Sequence, residues 1–90
     1  MKLSELVAED IIGATLVEHD IHGLGDGKGI IKGVHISNEN WISFDMEEGS
    51  GAAMGLNLNC FDPVVTKNEK GVYSWTAPYL SHYKIYPKVT

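Results

Sequence analysis

Residues 30–46, "IIKGVHISNENWISFDM", show the clearest secondary-structure pattern in the chain. Its second half alternates between polar residues and the apolar Ile42, Phe44 and Met46, which is typical of a strand with one buried face. By the same alternation Trp41 lies on the outer face. The first half is rich in β-branched residues, and the polar "NEN" between the halves indicates a turn. The stretch therefore predicts an antiparallel hairpin.

Upstream of the hairpin, "VEHDIHGLGDGKGII", residues 17–31, begins with a half-buried strand that is predicted to end near His22. The glycine-rich segment from Gly23 to Gly29 then predicts a loop, because glycine supplies the positive φ angles that tight connections need. The next strand is expected to begin at Lys28 or Gly29.

The start of the chain, "LSELVAEDII", spaces its apolar residues as a helix does. It predicts one or two helical turns. Ser4 is the candidate N-cap and Gly13 the candidate stop signal.

Downstream of the hairpin the sequence predicts further short strands. Met54, Leu56, Leu58 and Cys60 share one face of a fourth strand, in which Cys60 serves as a small buried hydrophobe. A polar turn, "TKNEKG", and two more alternating segments follow. The whole pattern indicates one mainly all-β domain, residues 1–90. We expect a small SH3-like antiparallel barrel of about five to six strands with a short N-terminal helical turn.

The charge of the chain bears on its partner. Twelve carboxylates against seven lysines give a net charge of −5, and there is no arginine. Because arginine is the usual reader of phosphates and guanine edges, direct nucleic-acid binding is not expected. An acidic surface instead suits a protein partner with a basic surface, through complementary potential.

The single cysteine and the apolar runs bear on location. One cysteine cannot form an internal disulfide, which fits a reducing cytosol. The sequence shows neither a charged-then-apolar leader nor an apolar run long enough for a membrane helix. We therefore expect a cytoplasmic protein without membrane contact, present as a monomer or a homodimer.

The glycine cluster raises the question of a phosphate or metal site. The spacing of Gly23, Gly27 and Lys28 does not match a phosphate-binding P-loop. His19 and His22 could ligate a metal, but residues three positions apart on a strand point to opposite faces. We expect no cofactor and no bound metal, and a site at His19 and His22 on the glycine loop is the alternative.

The sequence contains candidate contact residues but no recognisable catalytic group. No serine or cysteine lies in a recognisable nucleophile signature, so no enzymatic activity is expected. Tryptophan and tyrosine, by contrast, are enriched at protein-interface hot spots. The candidate aromatic contacts are Trp41, Tyr73, Trp75 and Tyr79. An acidic edge that orients the partner is expected from Asp26, Asp45, Glu47 and Glu48.

The pattern V-x-H-x-x-H-G-x-G from Val17, continued by G-x-G-x-I from Gly27, resembles a known barrel family. It is similar to the entry into the SH3/Tudor-like barrels of the CarD and transcription-repair coupling factor RNA-polymerase interaction domains, and of the C-terminal domain of UvrD-type helicases. "WISF", residues 41–44, fits the strand that follows in that family. His22 departs from the family, which has phenylalanine there, the glycine loop is longer, and the basic surface of some members is missing.

This resemblance implies a barrel that binds a protein, commonly RNA polymerase, without chemistry of its own. "MKLSEL" at the start also resembles the first residues of PRC-barrel domains, another small β-barrel adaptor. Both resemblances point to the same fold class and the same style of function.

The sequence thus predicts a non-catalytic protein-binding module, and two alternatives stay open. One is a phage-encoded inhibitor, such as an anti-CRISPR or host-takeover protein, whose carboxylates occupy a basic nucleic-acid-binding surface of its target. The other is a small-ligand or metal-binding protein built on His19, His22 and the glycine loop.

Overall fold

The computed structural model describes residues 1–20, 26–77 and 81–88. In these ranges the chain begins with a 3-10 helix, Leu3–Ala8, and continues with seven strands. They are β1 Thr15–Asp20, β2 Asp26–Ile36, β3 Trp41–Met46, β4 Gly55–Asn57, β5 Thr66–Lys67, β6 Tyr73–Thr76 and β7 Ser81–Tyr86. All neighbours are antiparallel, in the order β4-β3-β2-β1-β7-β6-β5. The predicted mainly-β class with a short helical turn is confirmed, and β5, two residues long, lies where the sequence indicated a turn.

β2 curls the sheet around its own core. Its first half pairs with β1 and its second half with β3, and the register shifts between Ile31 and Gly33. Such a bulge bends a strand and increases its twist. As a result Phe44 of β3 and Trp75 of β6 meet edge to face, with ring centroids 6.2 Å apart, although three strands lie between them in the sheet.

Alternate residues of β3, β6 and β7 contribute to the core. In β3, Ile42 and Phe44 are buried whereas Trp41 is exposed, as the alternation predicts. β7 alternates in the same way, with Ser81, Tyr83 and Ile85 inside and His82, Lys84 and Tyr86 outside. The antiparallel pairing of β2 with β3 also confirms the predicted hairpin.

The N-terminal helix packs its apolar side into this core. Leu3 and Leu6 are fully buried. The Leu3 amide donates a hydrogen bond to the Pro63 carbonyl oxygen at 2.9 Å, and the Val65 amide donates to the Met1 carbonyl oxygen. The first residues of the chain are therefore tied to the segment before β5. No helix among the described residues has the length and apolar character needed to cross a membrane.

The ends of this helix differ from the prediction. The N-cap is Lys2, not Ser4, and the Lys2 amide donates to Glu5 Oε1 at 3.0 Å. The Ser4 hydroxyl instead donates to Asp62 Oδ2 at 2.9 Å, because a carboxylate from the later loop reaches it. Gly13, with a φ of 88°, lies beyond the end of the helix and turns the chain toward β1.

Gly27 and Gly29 belong to β2, which corrects the prediction that they form a loop. The strand begins at Asp26, earlier than the sequence indicated. A Cβ on Gly27 would lie 2.0 Å from the carbonyl oxygen of Gly51, and a Cβ on Gly29 would lie 2.3 Å from the side-chain Cβ of Ser50. These glycines are needed because another segment of the chain, residues 50–51, crosses β2 in contact with it, and not because the chain turns.

Cys60 is exposed, whereas the sequence predicted a buried position. β4 ends at Asn57, whose carbonyl oxygen accepts hydrogen bonds from the amides of Cys60 and Phe61 at 3.1 and 3.2 Å. The two-residue alternation stops in this turn. Met54 and Leu58 of the same predicted face are buried.

Candidate functional site

Two predicted contact residues, Tyr73 and Trp75, are core residues. They are 7% and 4% exposed, so the expectation that they form an open surface is wrong. Trp75 stacks on Tyr83 with ring centroids 5.4 Å apart, and the Tyr73 hydroxyl donates to Glu9 Oε1 at 3.0 Å. β6 turns both rings inward, where they fill the core that the curled sheet encloses. The third member of this predicted group, Tyr79, lies outside the described residues.

Trp41 is the predicted aromatic contact that does lie at the surface, with 46% of its area exposed. Its backbone is held by the preceding turn, because the Ser37 amide donates to the Trp41 carbonyl oxygen at 2.8 Å and the Trp41 amide donates to Ser37 Oγ at 3.2 Å. Asn40, with a φ of 65°, closes the turn in the left-handed region that asparagine tolerates. The indole is thus presented from a fixed backbone.

Three of the four predicted edge carboxylates lie close together at the end of β3. Asp45 is exposed. It lies on the same outer face as Trp41, because it is four positions after Trp41 along the strand and side chains alternate between the two faces. Glu47 and Glu48 are exposed in the turn that follows. This edge and the indole therefore belong to one continuous stretch of surface.

Asp26 does not join that edge. The Glu47 amide donates to the Ile30 carbonyl oxygen at 2.9 Å, which places the edge beside the middle of β2. Asp26 begins the strand, four residues or about 13 Å from Ile30 at the usual rise per residue. Its carboxylate contacts His19 Nδ1 instead. The register of β1 with β2, which pairs these two residues directly, is what separates Asp26 from the other carboxylates.

On the outer face of β3, Ser43 and the predicted edge residue Asp45 lie beside His35 of the neighbouring strand β2. Ser43 Oγ lies 2.9 Å from His35 Nε2, and His35 Nδ1 lies 3.7 Å from Asp45 Oδ2. The second distance is too long for a hydrogen bond, so the aspartate does not fix the ring as the acid of a catalytic triad does. His35 and Asp45 are also more than half exposed. The arrangement is a polar surface network.

A second polar set forms a row across four strands. Asp26 of β2, His19 of β1, His82 of β7 and Thr76 of β6 are successive partners in the strand registers. The His19 and His82 rings lie with their centroids 6.3 Å apart, and His82 Nδ1 is 2.7 Å from Thr76 Oγ1. His22, predicted as the partner of His19 in a metal site, lies outside the described residues.

Two exposed faces thus carry groups of polar side chains. One is the outside of β3, and the other is the row of Asp26, His19, His82 and Thr76, which we call the histidine row. No family model, curated protein or solved structure matches this chain. The two faces differ in charge, because the β3 side ends in carboxylates whereas Lys28 and Lys84 flank Val17 next to the row. Within residues 1–20, 26–77 and 81–88, no group of three or more histidine, cysteine or acidic side chains is placed to hold a metal ion.

Two grooves share His82 and Lys84 of β7 in their lining. One, of about 410 Å³, lies over the histidine row and is lined by Val17, His19, Asp26, His82, Lys84 and Tyr86. The other, of about 450 Å³, lies along the edge of β6 and includes the exposed Phe61 and Val64. No local sequence pattern predicts either groove, because both depend on which distant strands become neighbours.

Proposed function

We propose that this chain is a non-catalytic protein-binding module that recognises a basic surface through its Trp41 face. The Trp41 face consists of Trp41, Ser43 and Asp45 on the outside of β3, with Glu47 and Glu48 in the turn that follows. The observation that carries the proposal is the 46% exposure of Trp41 on a backbone fixed by its turn.

An exposed indole on a fixed backbone is well suited to be a binding hot spot. Tryptophan brings a large apolar area with few rotatable bonds, so little conformational entropy is lost when a partner covers it. Hot-spot residues of this type cost about 2 kcal/mol or more of binding free energy when truncated to alanine. Trp41 would supply affinity in this way.

The carboxylates beside Trp41 would supply orientation and speed. Asp45, Glu47 and Glu48 are exposed and project from one end of β3, and the whole chain is acidic. Complementary charge raises association rates and disfavours wrong partners more than it raises affinity. A basic surface on a nucleic-acid-handling machine, such as the polymerase implied by the sequence resemblance, is the partner class that fits. A phage-encoded inhibitor that covers such a surface would use the same residues.

The experiment compares variants of the full chain as baits for partner capture from cells of the source organism. Trp41→Ala should lose the specifically retained protein. Tyr86→Ala is the matched control, because Tyr86 is an aromatic residue of similar exposure, 41%, on β7. Quantitative mass spectrometry reads both variants against the unchanged chain.

The outcomes separate clearly. Loss with Trp41→Ala and retention with Tyr86→Ala supports the proposal, and it becomes stronger if the same pattern is found with the purified partner. Equal retention by all three baits, or loss with Tyr86→Ala alone, contradicts it. In the supporting case, the salt sensitivity of the retained complex shows whether the carboxylates contribute, because salt screens exposed charge pairs.

A further inference from the structure

The histidine row supports an inference that is independent of the Trp41 face. Residues at one rung of antiparallel strands project to the same side and contact their neighbours. The register of β1 with β7 makes His19 and His82 direct partners, and their rings lie with centroids 6.3 Å apart and planes tilted by 41°. Backbone pairing, rather than a flexible loop, therefore holds the two imidazoles side by side.

In both rings the Nδ1 atom is engaged by the neighbour on the outer side of the row. His19 Nδ1 contacts Asp26 Oδ1. An ionised carboxylate can only accept, so Nδ1 is the donor, and in the neutral ring Nε2 then carries the lone pair. His82 Nδ1 lies 2.7 Å from Thr76 Oγ1, and the hydroxyl oxygen can accept from the same tautomer. Histidines oriented through one nitrogen and open at the other are the arrangement that proteins use for metal ligands.

We propose that His19 and His82 together bind one divalent transition-metal ion through their Nε2 atoms, with Asp26 orienting His19. Two metal–nitrogen bonds of about 2.0–2.1 Å, with the centre-to-nitrogen distances of two imidazoles, add up to about 6 Å when the two nitrogens lie on opposite sides of the ion. The ring centroids, 6.3 Å apart, are at this limit, so tetrahedral coordination requires the two rings to move closer together. Imidazole nitrogen suits Zn²⁺, Cu²⁺ and Ni²⁺, and the groove of about 410 Å³ above the row has room for the waters that complete the coordination shell.

Lys84 lines the same groove and favours a different occupant, an anion. Its ammonium group repels a metal cation, although the residue is exposed and its long side chain is flexible. Lys84→Ala therefore separates the two occupants. It should leave Zn²⁺ affinity unchanged or raise it if the site takes a cation, and it should weaken the binding of inorganic phosphate if the site takes an anion.

The test titrates the full chain with Zn²⁺ alone by isothermal calorimetry. His19→Ala and His82→Ala should each weaken binding by about tenfold or more, and Asp26→Asn by about tenfold, as for the loss of an orienting partner. His35→Ala is the matched control and should change the affinity by less than about twofold. His35 is 55% exposed and lies beside a carboxylate, Asp45, but its ring stands in no histidine pair among the described residues.

A second readout is independent of affinity. The imidazole ¹⁵N spectrum should show the Nε2 signals of His19 and His82 shifting with Zn²⁺ while those of His35 stay in place. Circular dichroism confirms that each variant is folded, and His→Gln replacements provide a second pair of variants.

The proposal is overturned by any of three results. Zn²⁺ at millimolar concentration produces neither heat nor shifts, or His35→Ala weakens binding as much as His19→Ala does, or only one of the two histidines matters. Phosphate binding that Lys84→Ala abolishes, without Zn²⁺ binding, would assign the groove to an anion instead.

Discussion

Gly27 of β2 and Gly51 are in direct backbone contact, so closely that a Cβ on Gly27 would lie 2.0 Å from the Gly51 carbonyl oxygen. Gly27→Ala must push the two segments apart, and we expect it to lower the free energy of unfolding by about 1–3 kcal/mol or more, as overpacking does. Gly33→Ala is the control, because its Cβ would meet Asp45 at an ordinary 3.6 Å. Urea unfolding measures both, and equal stability of the two variants would contradict this account of Gly27.

The two tryptophans should behave in opposite ways. Trp75 is 4% exposed and stacks on Tyr83, so Trp75→Ala should cost about 3–5 kcal/mol of the free energy of unfolding. Trp41→Ala removes an exposed ring and should stay within about 0.5 kcal/mol of the unchanged chain. Chemical denaturation followed by circular dichroism reads both variants. A large loss with Trp41→Ala would mean that its ring supports the fold, and its use as a stability-neutral binding variant would fail.

The sequence predicts the exposure of Trp41 correctly and that of Trp75 incorrectly. The period-two pattern of residues 41–46 identified the strand, its buried face and the exposure of Trp41. Trp75 also lies on an alternating strand, but alternation alone does not say which face turns inward. Which face of β6 is buried depends on how the sheet curls, because the curl brings Trp75 against Phe44 of a distant strand.

The prediction of a loop at Gly27 and Gly29 was wrong for a related reason. A run of glycines is needed either where the chain turns or where another segment crosses in close contact. The sequence alone does not distinguish these two cases. Gly27 and Gly29 are explained by Ser50 and Gly51, more than twenty positions later. The pairing of His19 with a histidine near the end of the chain has no local signal at all.

Tyr83 gives the stability a predictable dependence on high pH. Burial, with the charge of nearby Glu18 as a further cause, raises the pKa of Tyr83 to about 12. The ordinary pKa of tyrosine in an unfolded chain is about 10. Between these values the unfolded chain loses a proton that the folded chain keeps, so the free energy of unfolding falls as pH rises from about 10 to 12.

Tyr83→Phe should remove this contribution and flatten the decline in stability above about pH 10. Urea unfolding at a series of alkaline pH values measures the slope. Tyr86→Phe, at an exposed position of the same strand, controls for the loss of a hydroxyl. An unchanged slope in Tyr83→Phe would mean that another group governs the alkaline limb.

Asp62 should matter more to stability than other surface carboxylates. It accepts two hydrogen bonds from Ser4, one from the amide at 3.2 Å and one from the hydroxyl at 2.9 Å. These bonds join the N-terminal helix to the loop after β4, and hydrogen bonds to a charged group contribute about 1.5–3 kcal/mol. Asp62→Ala should therefore destabilise by about 1–3 kcal/mol in thermal or urea unfolding. Glu69→Ala, in an exposed turn, should have no comparable effect.

Charge reversal tests the part that the acidic edge plays in partner binding. Glu48→Lys should slow association with the captured partner by several-fold at low salt, because it replaces an attraction with a repulsion. The difference should shrink as salt rises. Glu69→Lys reverses an exposed glutamate in the turn between β5 and β6, which lie toward the opposite end of the strand order from β3. Surface plasmon resonance at two salt concentrations compares them, and identical rates for both variants would remove the edge from the interface.

The order of the strands in the sheet also determines when each strand can pair during synthesis. β1 is hydrogen-bonded on one side to β2, its neighbour in sequence, and on the other to β7, with Thr15 opposite Tyr86. As the chain leaves the ribosome, β1 can fold against β2 early, but its other edge must wait for residues 81–86. An unpaired edge is a template for strands from other molecules. Nascent chains of this domain are therefore vulnerable to mispairing through most of their synthesis, and translation pauses before β7 should favour aggregation.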